Sequence, residues 1–381
     1  MPKILLVANT GWYLYNFRLP LARFLRERKI DVVMVSPWDA YVPRFQAEGF
    51  RWVEMRLDRR SMNPLRELMA MLFLIAIYRR ERPSAVHHFT IKCVLYGTIA
   101  AKFSGTRAVV NAVTGLGHVF LDGGWKTAIA QPLVRWLYRR TLSARRVRTV
   151  VFQNPDDLQV FVDAGLIIPE RTVLIRSSGV DLKRFCPRPG LPDEPPAPVV
   201  LFASRLIVEK GIYEYVEAAR LLKARGVEAT FQIAGAPDPG NPTSISEQVC
   251  EQWRQEGVVD LLGHLDSMDD VIAQSTVVVL PSYREGTPRI LLEAAAMGKA
   301  IVTTDVPGCR EAVEHEKNGL LVPVKNPAAL ADAIERLLAD PHLRRTMGEV
   351  GRVKMVREFD DQDVARRTAA IYEFAGAGGR V

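Results

Sequence analysis

Val277-Val278-Val279-Leu280 is an uninterrupted apolar run, and the residues after it leave the chain few choices. A strand without polar alternation is buried on both faces, the position of a strand inside a parallel sheet. Pro281 to Gly286 then form a polar loop. Thr287 suits an N-cap and Pro288 the first helical position, where a missing N–H costs nothing. Strong helix formers run on to Gly298, a natural residue just past a helix end. Ile301-Val302-Thr303-Thr304, β-branched throughout, reads as the next strand. This order predicts a parallel βαβ unit whose loop sits at the carboxyl edge of the sheet, where open α/β sheets bind ligands.

That corner favours an anion. The amides of Arg289, Ile290 and Leu291 would point out of the helix start, with the helix dipole behind them, and Gly286 would let the backbone approach a ligand closely. Two carboxylates, Glu285 and Glu293, stand beside it. Acids next to an anion site are costly unless they bind something else, and a carboxylate accepts hydrogen bonds from neighbouring sugar hydroxyls. A nucleotide sugar offers hydroxyls, diphosphate and ribose in that order. The plainer alternative, a solvated Glu285 and a Glu293 paired with Arg289 four residues back, stays open at this point.

The pattern P-S-x-x-E-G-x-P-x-x-L-L-E-A, as it stands from Pro281 to Ala294, resembles the signature of retaining glycosyltransferases of family 4. The resemblance covers nearly the whole chain. It includes Arg205 and Lys210 in Ala203-Ser204-Arg205-Leu206-Ile207-Val208-Glu209-Lys210-Gly211, and Gly179-Val180-Asp181 with Phe185. It implies the GT-B fold: two doubly wound parallel-sheet domains facing across a cleft.

With 381 residues, 48% of them hydrophobic, the chain can build two domains with a core each. Its four cysteines are scattered and form no C-x-x-C, which suits reduced thiols in a cytoplasmic protein. No cluster of histidines and cysteines suggests a metal. The apolar run Ile4 to Ala8 is too short for a signal peptide and reads as a first strand. Leu68 to Tyr78 falls well below the ~20 residues needed to span a bilayer.

Residues 1–180 carry 27 Lys+Arg against 13 Asp+Glu, net +14, whereas the remainder carries 24 against 30, net −6. A basic first half meets something anionic. Aromatic residues are not interleaved as nucleic-acid stacking platforms require, so the reading is an anionic membrane surface or a polyprenyl diphosphate, not nucleic acid.

In the first half, strands are expected at Ile4–Val7, Val32–Val35, Ala85–His88, Ala108–Val113 and Thr149–Phe152. Helices are expected at Phe17–Lys29, Leu65–Arg80, Ile91–Phe103 and from Gln131 to Arg148. Asn9 to Arg18 reads as a loop, with Gly11 permitting a tight turn. Arg56, Arg59, Arg60 and Asn63 precede an apolar helix, an arrangement that suits a phosphate near a membrane or, alternatively, a solvated loop before a core helix. The basic, aromatic helix after Gln131 suits a headgroup layer or a plain solvated face. At Asn154-Pro155-Asp156-Asp157 the acids are read as caps. Proline crowds residues 186–198, so the first domain is placed at 1–184 and the second at 185–358. In the second, Val199–Ala203, Phe231–Gly235 and Val259–Leu262 are expected strands. Phe359 to Phe374 is expected to be helical, with Val364, Thr368, Ile371 and Phe374 on one face; the resemblance implies that it crosses back onto the first domain.

Residue by residue, the resemblance implies that Arg205 and Lys210 bind the diphosphate, Glu285 orients the donor sugar and Glu293 the ribose. His118 would contact the donor sugar from the loop after Val113. Gly11, Gly286, Thr287, Pro288, Arg289 and Ile290 would line the donor, and Gly235 and His264 mark the loops for the base. Tyr13, Arg59, Arg60, Asn63, His88 and Lys92 are expected at the acceptor. Within the family the chain is most similar to bacterial transferases that add an N-acetylhexosamine to a polyprenyl-diphosphate sugar. That implies a UDP-sugar donor, no metal cofactor, and peripheral association with the cytoplasmic face of the inner membrane. A UDP-sugar hydrolase or epimerase of the same fold, and a non-catalytic binder of anionic membranes, are the alternatives.

Overall fold

The computed structural model describes residues 1–58, 61, 63–115, 125–188 and 197–374. The chain divides into two compact units, Met1–Ser178 with Asp361–Val381, and Gly179–Asp360. The first unit thus ends at Ser178 rather than residue 184: Val180 pairs as a bridge with Asp360 and its amide bonds the carbonyl of Phe359 at 2.8 Å, so the segment before the prolines belongs to the second unit.

The first unit runs β1 (Lys3–Val7), α1 (Gly11–Glu27), β2 (Asp31–Ser36), α2 (Val42–Ala47), β3 (Arg51–Glu54), α3 (Pro64–Glu81), β4 (Ala85–Phe89), α4 (Ile91–Ser104), β5 (Ala108–Val113), α5 (Trp125–Leu142), β6 (Val147–Phe152), α6 (Pro155–Asp163) and β7 (Thr172–Leu174). Its strands form one parallel sheet in the order β3-β2-β1-β4-β5-β6-β7. Alternate residues of β1 go to opposite cores: Leu5 and Val7 pack with residues of α3 to α6, Ile4 and Leu6 with residues of α1 and α2. This double winding is what the alternation of strands and helices predicts.

The second unit continues with β8 (Val199–Ala203), α7 (Ile212–Ala224), β9 (Thr230–Ala234), α8 (Glu247–Glu256), β10 (Asp260–Gly263), α9 (Asp269–Gln274), β11 (Val277–Leu280), α10 (Arg289–Ala296), β12 (Ala300–Thr304), α11 (Cys309–Ala312), β13 (Leu320–Val322), α12 (Pro327–Ala339) and α13 (Pro341–Glu358). Its parallel sheet has the order β10-β9-β8-β11-β12-β13. β11 lies between β8 and β12, and Val277 to Leu280 are at most 1% exposed, as an all-apolar run requires. The last helix, α14 (Asp361–Phe374), returns to the first unit, where Val364, Ala365, Ile371 and Tyr372 join the core over Ile4 and Leu6.

Three local expectations need correction, and one open alternative is narrowed. Residues 11–18, read as a loop, are the first two turns of α1: Thr10 caps the amide of Tyr13, and Asp39 accepts from the amide of Trp12 at 2.8 Å. The helix expected to reach Arg148 stops at Leu142, and Arg148 lies in β6. Asn154, not an acid, caps α6, taking the amide of Asp157 at 2.7 Å. The apolar helix α3 is not simply core: Leu65, Leu68, Met69 and Leu72 are exposed along one stripe. No helix among the described residues is long and apolar enough to cross a membrane.

Candidate active site

In each sheet the strand order reverses beside the first strand, and ligands of open α/β sheets bind in the crevice this opens at the carboxyl edge. In the second unit the reversal falls between β8 and β11. The loops leaving those strands are Ser204–Gly211 and Pro281–Pro288, so residues far apart in sequence share one corner.

Backbone contacts lock the two loops together. The carbonyl of Glu209 accepts from the amide of Tyr283 at 2.8 Å and from the hydroxyl of Ser282 at 3.0 Å. Gly211, at φ +72°, packs so tightly that an added Cβ would lie 2.0 Å from the carbonyl oxygen of Pro281. Gly308, at φ +81°, supports the other side: a Cβ there would fall 2.4 Å from the carbonyl oxygen of Glu285 and 2.6 Å from that of Gly286. No side chain is compatible with that approach. Thr304 donates its hydroxyl to the carbonyl of Ser282, and Thr303 to that of Leu280 at 2.6 Å.

Into this frame project Lys210 and Glu285, whose Nζ and Oε1 form a direct ion pair across 75 residues of sequence. Their side chains are 17% and 11% exposed. Arg205 projects from the same loop, more than half exposed, and bonds through Nη1 to Oδ2 of the buried Asp238 at 2.9 Å. Glu293, on the first turns of α10, is 7% exposed and pairs with Arg289 at 2.8 Å, the i,i+4 arrangement left open from sequence. Tyr283 donates to Glu214 at 2.7 Å; burial and then this carboxylate raise its pKa, so it remains a donor.

The helix start differs from expectation. Pro288 is the N-cap of α10, without a side-chain cap bond, and Thr287 turns its hydroxyl to the carbonyl of Gly286 at 2.8 Å. The amide of Leu291 is taken by the carbonyl of Pro288, so the outermost helical amides are those of Arg289 and Ile290. The loop after β9 meets the end of β10 through the amide of Gly235 and the carbonyl of Gly263 at 2.8 Å; a Cβ on Gly235 would lie 1.8 Å from the carbonyl oxygen of Ser204. His264 comes next in the chain, exposed, with Asp266 3.8 Å away.

In the first unit several candidates have other duties. Gly11 is the first helical residue of α1 without a left-handed φ; its Cα faces Asp39, and a Cβ would meet Oδ1 at 2.5 Å. The helix start there is already served by a carboxylate, so the geometry does not support a donor role for Gly11. His88 is fully buried, with Tyr78 on Nε2 and Asn111 on Nδ1, both at 2.8 Å, and burial lowers its pKa to about 4. It has no ring nitrogen left for an acceptor. Asn63 caps α3, bonding the amides of Leu65 and Arg66. Lys92 clamps the carbonyls of Asp58 and Ser61 and the carboxylate of Glu67, which secures the chain on either side of residues 59–60. Tyr13 accepts from Arg18 at 2.7 Å and stacks on Phe17. Arg59, Arg60 and His118 lie outside the described residues.

Two supporting residues were not singled out from sequence: Asp238, the partner that aims Arg205, and Gly308, which fixes the backbone under Glu285. A glycine directly after a proline at the end of a β-branched run was the available signal for the second; for the first there was none.

Comparisons with known proteins fit this geometry. Residues 3–154 match the family described as glycosyl transferase 4-like, and residues 197–340 match glycosyl transferases group 1. The chain is 28% identical to the N,N'-diacetylbacillosaminyl-diphospho-undecaprenol alpha-1,3-N-acetylgalactosaminyltransferase of Campylobacter jejuni, over 97% of this chain and 98% of that one. Among solved structures it resembles the sucrose-phosphate synthase of Thermosynechococcus elongatus (TM-score 0.81, 22% identity, 100% of each chain). It also resembles HepE of Anabaena in complex with UDP and glucose (TM-score 0.79, 19% identity, 97% of this chain and 99% of that one). The chain is a glycosyltransferase of the GT-B fold, built from a glycosyl transferase 4-like domain and a glycosyl transferases group 1 domain.

Proposed function

We propose that this glycosyltransferase moves a sugar, an N-acetylhexosamine, from a UDP-sugar to a saccharide carried on a polyprenyl diphosphate, with retention at the anomeric carbon. The observation that carries the reading is the corner between β8 and β11, where Lys210, Arg205 and Glu285 converge beside the start of α10. The full-length similarity to a transferase acting on a diphospho-undecaprenol sugar supports the acceptor class, and the fold shared with a UDP-bound protein supports the donor.

In this scheme Lys210 and Arg205 take the diphosphate, with the outermost amides of α10 as further donors. They stabilise the negative charge that develops as the nucleotide leaves, which is the largest lever available to such a site. Lys210 holds Glu285 in place for the hydroxyls of the transferred sugar. Glu293, steadied by Arg289, takes the ribose hydroxyls. The acceptor hydroxyl attacks from the face the diphosphate leaves, and the departing phosphate oxygen accepts its proton. The two cations take the place a divalent ion would fill.

The acceptor's lipid implies work at a membrane surface, on the cytoplasmic face of the inner membrane. Helix α3 supports this: Leu65, Leu68, Met69 and Leu72 form an exposed apolar stripe at helical spacing, with Arg66, Arg79 and Arg80 on the same helix. Such a helix lies in the interface with its arginines toward anionic headgroups.

The test is a screen of UDP-sugars with and without a short polyprenyl-diphosphate glycan. Transfer only with the lipid-linked acceptor is the expected result, and turnover of the donor alone at the same rate would refute the acceptor. Co-sedimentation with anionic vesicles, lost in a Leu68→Glu/Leu72→Glu variant, tests the membrane contact.

A further inference from the structure

A groove of about 470 Å³ opens between β3 and α3, within the size range of small-ligand sites. β3 is the edge strand of the first sheet, so no further strand closes the groove on that side. Trp52, Glu54 and Arg56 line it from the strand and its exit, and Phe73, Ala76 and Arg80 from the helix. The Trp52 ring is fixed in place, its Nε1 donating to Oγ of Ser36 at 3.1 Å.

Two of these residues carry positive charge that the fold does not use. Arg56 is exposed, with its guanidinium 5.1 Å from the Phe73 centroid, and among the described residues no carboxylate lies within 4.0 Å of it. Arg80 meets Glu81 at 3.4 Å through Nε, but that carboxylate is already held by Lys3 and by Arg51, each at 3.1 Å. Against the two arginines the groove has one acid, the exposed Glu54.

The groove is continuous with the apolar stripe of α3. Leu65, Leu68, Leu72 and Ala76 recur at helical spacing and are all exposed. Ala76 also lies on the wall of the groove, and Phe73 and Arg80, three residues before it and four after, share its face. A helix laid on a bilayer by that stripe sets the mouth of the groove among the headgroups.

We propose that the groove between β3 and α3 holds the headgroup of an anionic phospholipid, its phosphodiester on Arg56 and Arg80 and its hydroxyls on Glu54. Guanidinium donors match phosphate oxygens in pairs. A carboxylate accepts hydrogen bonds from the hydroxyls of a glycerol headgroup. The rings of Trp52 and Phe73 supply apolar cover for the glycerol backbone. Only the orientation of α3 on the bilayer rests on the function proposed above; the transfer reaction is not needed.

Calorimetry on the full chain tests it with dihexanoyl phosphatidylglycerol below its micelle-forming concentration, so that no bilayer is present. Saturable binding is expected. Arg56→Gln/Arg80→Gln should weaken it by at least about tenfold, the size of one lost charge-assisted pair. Ala76→Trp should weaken it as much, because the indole fills the groove without changing the charge. On phosphatidylglycerol vesicles Ala76→Trp discriminates by sign. A helix held by its apolar stripe alone would bind more tightly with an added indole, whereas loss of an occupied groove weakens binding. Three results would each overturn the proposal: no saturable binding of the short-chain lipid, equal affinity for dihexanoyl phosphatidylcholine, or a folded Ala76→Trp protein within twofold of wild type. Vesicle binding retained in Leu68→Glu/Leu72→Glu would instead refute the membrane role of the stripe, and the short-chain titration would still decide the groove.

Discussion

Replacing Lys210 by Met separates the structural from the chemical role of the Lys210–Glu285 pair. Both side chains are largely withdrawn from water, 17% and 11% exposed, so the change strands the Glu285 carboxylate without its counter-charge. Breaking a buried pair from one side costs about 3 kcal/mol, near the low end for full burial. For a domain of this size that is a fall of roughly 6–12 °C in melting temperature. Adding Glu285→Gln removes the stranded charge, and the double variant should recover most of the lost stability. Catalysis should not recover with it. If Lys210 stabilises the leaving diphosphate, its loss costs ~10²–10³ in kcat, as for a missing oxyanion donor, and the double variant stays as slow as the single one. Thermal unfolding by circular dichroism and steady-state rates on the three proteins make the comparison. Recovery of turnover along with stability would show the pair to be scaffolding only. A Lys210→Met rate within a few-fold of wild type would refute the charge argument directly.

Gly308→Ala should cost more activity than its size suggests, because the new methyl collides with the carbonyls of Glu285 and Gly286 at a left-handed φ; a loss above about 2 kcal/mol in unfolding free energy is expected. Glu293→Ala should weaken UDP binding by about tenfold if the carboxylate holds the ribose; Arg289→Ala should weaken it less, and an unchanged UDP affinity in that variant would refute the steadying role of Arg289. EDTA should leave the rate of purified enzyme unchanged, and a rate restored only by added divalent ions would refute the metal-free scheme. His88 is buried and neutral, with its pKa down at about 4 against 6.5 unfolded. The unfolded chain therefore takes up protons first as pH falls. The stability His88 contributes is complete above pH 6.5 and is lost progressively toward pH 4, by ~3 kcal/mol. Urea titrations of His88→Gln should show a flatter pH dependence over that window.

Much of the fold was legible because burial writes itself into composition. Val277–Leu280 is apolar at every position because both faces of β11 are covered, and β1, β4 and β5 read as strands for the same reason. The edge strand β3 did not, since Arg51 and Glu54 face solvent and leave no apolar run. The start of α1 was read as a loop because Gly11 permits a tight turn; the carboxylate of Asp39, supplied from elsewhere in the fold, holds that terminus. The glycosyltransferase signature lay in local spacing, so Glu285, Glu293, Arg205 and Lys210 could be singled out by motif alone.

Which charges meet was decided only in three dimensions. Lys210 and Glu285 are joined by the adjacency of β8 and β11, strands that are not neighbours in sequence. Asp238 reaches Arg205 from the loop after β9, and Gly308 comes under Glu285 from beyond β12. His88, Asn63 and Lys92, plausible ligand residues by type, are consumed by a buried hydrogen-bond network, a helix cap and a loop clamp. A sequence determines what each side chain can donate, accept or bury. Whether its partner is another side chain or a substrate depends on which strand edges the tertiary fold brings side by side.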